Sequence, residues 1–164
     1  MKIEIMKTNL LFPHSCSIVG WIMFVSGILF ALVILITQFE PTWLTLRVPV
    51  LAGDELFGSD RTWFTTRVNN LADELASILF LVGGLMVAFS REKIEDEYIA
   101  RIRLESLVWA TYVNYGLLML AILFIYDMSF YYVMLFNLFT LLIFFIIRFR
   151  LVLWSTKKAM THEK

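Results

Sequence analysis

The sequence predicts an all-α membrane protein: a bundle of four transmembrane helices, with an extracytoplasmic β-hairpin-like loop between the first and second. Three observations predict it. The first is composition. Of 164 residues, 60% are hydrophobic and only 17% charged, and the mean hydropathy is +0.77. A soluble domain holds about 25% charged residues and has no interior large enough for so much apolar surface. The second is the spacing of charge. No Asp, Glu, Lys or Arg falls between Lys7 and Glu40 (32 residues), Glu74 and Arg91 (16), Glu105 and Asp127 (21), or Asp127 and Arg148 (20). A helix needs about 20 mostly apolar residues to cross roughly 30 Å of hydrocarbon. The third is the distribution of cations, described below.

These runs place spans at about 17–37, 72–89, 104–126 and 130–147. The second is short: its 16 uncharged residues rise about 24 Å as a helix. Asp73 and Glu74 are therefore drawn to the hydrocarbon edge, or the bilayer thins around them. Ionisable groups at that depth are costly and are usually paired or functional. Arg47, Arg61 and Arg67 are the expected partners. Self-association into a homo-oligomer would also relieve a short span, as would tilt or loop packing.

Orientation follows from lysine and arginine. Eleven of the fourteen basic residues fall in the N-terminal arm, the middle loop and the tail, and only Arg47, Arg61 and Arg67 fall on the other side. The positive-inside rule then puts both termini in the cytoplasm, and localisation is expected to be a bacterial cytoplasmic (inner) membrane, crossed several times. The first apolar segment is long enough to span and no small-residue cleavage site follows it, so a cleaved signal peptide is not expected. Cys16 lacks the upstream hydrophobic region of a lipoprotein attachment site. No repeat or linker appears, and the chain reads as one domain.

Outside the lipid, the largest outer stretch is the loop 39–71. Residues 43–51 (WLTLRVPVL) and 62–68 are β-prone and flank a connector holding Gly53 and Gly58, the pattern of a β-hairpin. Pro49 belongs on an edge, because it cannot donate to the ladder. Asn69 and Asn70 are placed to cap the second span, with Asp73 and Glu74 in its first turn, where the helix dipole favours acids. The outer acids Asp54, Glu55, Asp60, Asp73 and Glu74 fit no ordered cation loop, so salt bridging is the expectation and a metal site is not.

Facing the cytoplasm, residues 91–103 read as a helix that runs into the third span. Ile94, Tyr98 and Ile102 recur every four residues on one face. Glu97 precedes Arg101 by four, an order worth about 0.2–0.5 kcal/mol. Inside the lipid, folding the last two spans back on each other brings Asn114 within reach of Thr140, with Asn137 a longer reach. Such contacts average about 0.6 kcal/mol and mainly fix packing. Gly27 with Ala31, and Gly84 with Ala88, predict a close crossing of the first two helices.

Catalytic chemistry has no candidates. His14 and His162 lie outside the spans, the chain has one cysteine, and there is no phosphate-binding loop, HExxH or nucleophile elbow. The expectation is no catalytic residue, no metal, no cofactor and no enzyme. The inner cations lack an aromatic platform for nucleic acid.

The stretch SREKIEDEYIARIRLESLVW at 90–109 resembles the inner loop of uncharacterised small four-helix bacterial inner-membrane proteins, in which an acidic D-E pair precedes a basic residue and the third span. Members of such groups are often paired with a small helix-turn-helix regulator. The resemblance implies a membrane-bound interaction or regulatory partner whose working surface is Glu92, Glu95, Asp96, Glu97, Arg101 and Arg103, with the lipid bilayer and a soluble cytoplasmic regulator as partners. One alternative is that the helix at 91–103 only anchors at the lipid surface; another is a small-molecule sensor or transporter-like protein that uses the outer loop and the interior of the helix bundle.

Overall fold

The computed structural model describes residues 11–37, 41–53, 62–93 and 95–162. Its elements run α1 (His14–Thr37), a 3-10 turn (Thr42–Leu44), β1 (Thr45–Gly53), β2 (Thr62–Asn70), α2 (Ala72–Phe89), α3 (Glu97–Phe124) and α4 (Asp127–His162). Among the described residues these four α-helices are long and apolar enough to cross a membrane. Their outward surfaces carry large apolar side chains, such as Ile36, Tyr112 and Phe124 at 75–77% exposure, which lipid can cover and water would penalise. The chain divides into two compact units, Val25–Phe80, and Met1–Phe24 with Leu81–Lys164. The boundaries fall inside α1 and α2, not in loops.

In the unit Val25–Phe80, β1 and β2 pair antiparallel, with Thr45 opposite Asn70 and Gly53 opposite Thr62. In this two-stranded sheet each strand is an edge, so Pro49, opposite Thr66, removes no ladder on its outer side. Phe64 adopts φ 52°, a left-handed conformation that costs a bulky side chain roughly 1–2 kcal/mol. Asn70 Oδ1 accepts from the Ala72 backbone N–H at 3.0 Å, and its Nδ2 donates to the Pro41 carbonyl at 3.2 Å. One side chain thus caps α2 and ties it to the start of the hairpin. A Cβ on Gly27 would lie 2.6 Å from the Phe80 backbone nitrogen, so α1 and α2 touch backbone to backbone there. The connector 54–61, with Asp54, Glu55, Asp60 and Arg61, lies outside the described residues.

In the other unit, a Cβ on Gly20 would sit 2.7 Å from the Met86 Cβ, and one on Gly83 would strike the Phe24 backbone nitrogen, so α1 and α2 approach closely there too. Gly20 and Gly83 therefore matter as much as the Gly27 and Gly84 pairs. Gly84 instead admits Leu142 of α4. The α3–α4 connection is a two-residue turn. Ile125 donates its N–H to the Ala121 carbonyl at 2.8 Å, and Asp127 opens α4 at φ 59°, which a short polar side chain tolerates. The buried core here centres on Phe145 and Phe149, each 1% exposed. Their rings stack 5.9 Å apart, and Phe89 of α2 stacks on Phe145 at 5.6 Å.

Two boundaries differ from the sequence expectation. The helix expected at 91–103 begins only at Glu97, because Asp96 caps it, accepting from the Ile99 N–H at 2.8 Å. Upstream, the backbone is held by other partners. Arg91 donates its N–H to the Phe12 carbonyl at 3.0 Å, and Phe12 donates to the Phe89 carbonyl at 3.0 Å, forming a parallel bridge between Phe12 and Ser90. The expected face of Ile94, Tyr98 and Ile102 also divides: Ile102 is buried, Tyr98 is half exposed, and Ile94 lies outside the described residues. The second difference is α4, which does not stop near 147 but runs 36 residues to His162, about 54 Å at helical rise. Charge marks the end of an apolar span, but arginine is a good helix former and does not end the hydrogen-bond ladder.

Candidate functional site

The residues with the densest polar contacts surround the loop between α2 and α3. Four features hold it. Arg103, one and a half turns into α3, points its guanidinium back at the loop: Nη1 donates to Glu95 Oε1 at 2.6 Å, Nη2 to Oε2 at 3.2 Å, and Nη2 also reaches the Ser90 carbonyl at 3.3 Å. The pair is two-pronged, the geometry in which a planar guanidinium and a carboxylate bind best. Arg150 of α4 donates to Glu92 Oε1 at 2.8 Å and to Ser17 Oγ of α1 at 3.4 Å. Glu95 Oε2 additionally accepts the Glu92 backbone N–H at 2.9 Å. Finally, His14 Nδ1 lies 2.9 Å from the Arg91 carbonyl, so that nitrogen carries the proton and donates.

Aromatic rings line the same region. The Arg103 guanidinium sits 5.1 Å from the centre of the Phe149 ring, capping the Phe89–Phe145–Phe149 column. Arg148 lies over Trp109 at 4.8 Å, Arg150 over Trp21 at 5.7 Å and Lys158 over Trp154 at 5.5 Å. Arg103 and Glu95 are poorly exposed, at 10% and 24% of their side chains. Removing Glu95 would leave the buried Arg103 charge without its carboxylate. The Nε atoms of Arg103, Arg148 and Arg150 and the Ser106 hydroxyl are buried with no hydrogen-bond partner among the described residues.

Of the six residues expected to form an interaction surface, the structure gives four of them local partners, though only Arg103 is itself buried. Glu92, Glu95 and Arg103 belong to the ion pairs, and Asp96 caps α3. Glu97 and Arg101 remain exposed, and no ion pair joins them among the described residues. Arg91, Lys93 and Tyr98 are exposed beside them. Arg150, Ser17, Ser90 and His14 were not singled out by sequence. The available signal was the arginine pair that ends the fourth uncharged run, opposite in charge to the acidic stretch on the same expected side.

The other expected sites stand apart from this cluster. Thr140 Oγ1 donates to Asn114 Oδ1 at 2.5 Å, and the Asn114 and Asn137 amides face each other at 3.4 Å, so α3 and α4 are joined by all three side chains. In the hairpin unit, Glu74 accepts from Asn69 Nδ2 at 2.8 Å, and Asp73 edges an open groove of about 360 Å³ lined by Thr45, Val68, Asn69, Asn70 and Ala72. Among the described residues no three His, Cys, Asp or Glu side chains gather to hold a metal ion.

No family model, curated protein or solved structure matches this chain.

Proposed function

We propose that the chain is a multi-pass protein of a bacterial cytoplasmic membrane, with both termini in the cytoplasm, that acts without a catalytic site by docking a soluble regulatory protein on the loop before α3. The observation that carries this reading is the way the loop is pinned. Arg103 and Arg150 hold Glu95 and Glu92 from two helices, while Arg91, Lys93, Glu97, Tyr98 and Arg101 stay exposed. A loop already ordered loses less conformational entropy on binding, which favours its use as a recognition surface. The bases of this row and Tyr98 also suit an interface rim and its anchor.

Of the expected surface, the proposed docking set keeps Glu97 and Arg101 and leaves out the ion-paired Glu92, Glu95 and Arg103 and the cap Asp96. Co-purification with the wild-type chain, a Glu97→Ala/Arg101→Ala variant and a Glu95→Ala variant separates the two roles. The exposed double variant should lose the partner while unfolding at the wild-type temperature. Undiminished recovery with that variant rules out docking here. The transport-like alternative has less support, since Asn114 is 3% exposed and its amide is already bonded to Asn137 and Thr140.

A further inference from the structure

Arg148 is a cation with an aromatic seat and, among the described residues, no paired carboxylate. Around the loop, Arg103 pairs with Glu95 and Arg150 with Glu92. No carboxylate pairs with Arg148 among the described residues. Its Nε is buried without a partner, and its guanidinium lies over Trp109, a ring that is itself 40% exposed. Arg148 is also the first charge after twenty uncharged residues, which span about 30 Å of helix, the thickness of the hydrocarbon layer. With α4 across a membrane, its guanidinium stands where lipid phosphates stand. Cation-bearing tryptophans Trp21 and Trp154 occur in the same unit, as expected of a headgroup-level belt.

We propose that Arg148 and Trp109 form a binding site for the phosphodiester of an anionic membrane phospholipid. The phosphate supplies the missing negative charge and acceptor oxygens for a planar guanidinium fork, and the tryptophan ring orients that fork and covers the glycerol side. This inference rests on α4 crossing a membrane, and is independent of any protein docking on the loop.

Native mass spectrometry of the full chain in detergent tests it, with added phosphatidylglycerol, phosphatidylcholine or inorganic phosphate as probes. Wild type should retain phosphatidylglycerol over phosphatidylcholine, and Arg148→Gln should lower that preference about fivefold, the share of one interfacial cation. Arg47→Gln, which removes an exposed charge from β1, should leave it unchanged. Equal loss in both variants, or no loss in Arg148→Gln, overturns the site. Displacement of the lipid by inorganic phosphate as readily as by more lipid overturns the lipid assignment. If Arg148→Gln fails to fold, phenylglyoxal modification of the wild-type chain decides. Arg148 should react more slowly in vesicles of phosphatidylglycerol with phosphatidylcholine than in phosphatidylcholine alone, and equal rates overturn the proposal.

Discussion

At the residue scale, the Arg103–Glu95 pair does the most to define the site. Both side chains are largely withdrawn from solvent, and Arg103 also bonds the Ser90 carbonyl and caps Phe149. Glu95→Gln should lower stability in detergent by about 1–2 kcal/mol, a little under the usual value for a charged hydrogen bond because Glu95 keeps some contact with water. In a double-mutant cycle, Arg103→Met should cost less in the Glu95→Gln background than in wild type, as expected for coupled neighbours. Strict additivity in thermal or denaturant unfolding would show that the two act independently. Sequence displayed these residues as charges on a loop, and in that form they looked available to a partner. Their partners are 8 and 58 residues away, a separation at which periodicity carries no information.

At the scale of elements, the α2 boundaries agree with the sequence expectation at both ends, because Asn70 caps the start and charge resumes just after the end. The entry to α3 is different. Its start at Glu97 reflects competition between helical propensity over 91–96 and tertiary bonds from Phe12 and His14 to the Arg91 backbone, with Arg103 holding the adjoining Ser90 carbonyl. Asp96→Ala removes the cap and should cost about 1 kcal/mol. Hydrogen exchange should rise at the amides of Glu97, Tyr98 and Ile99, and unchanged protection there would mean that the loop's tertiary bonds alone hold the helix start. The β-hairpin was legible from alternation and glycine placement. The left-handed Phe64 was not, since nothing in its side chain favours that conformation.

On the scale of the whole molecule, the proposed four-span topology predicts that the hairpin and the loop before α3 face different compartments. In a Cys16→Ser background, Thr66→Cys should react with an impermeant thiol reagent from outside intact cells, and Glu97→Cys only after the membrane is opened. Labelling of both from one side would refute the four-span topology. What was readable without coordinates is the number and position of the apolar helices, because hydrocarbon requires every backbone polar group to be bonded within its own segment. That demand is local and leaves its mark in every run of uncharged residues. Folding alone decided which acids meet which arginines, that Gly20 and Gly83 lie at the helix crossing, and that Arg148 is left, among the described residues, with a tryptophan and no carboxylate. Those outcomes depend on side chains brought together from distant parts of the chain, where charge and shape complementarity act only after the helices have packed.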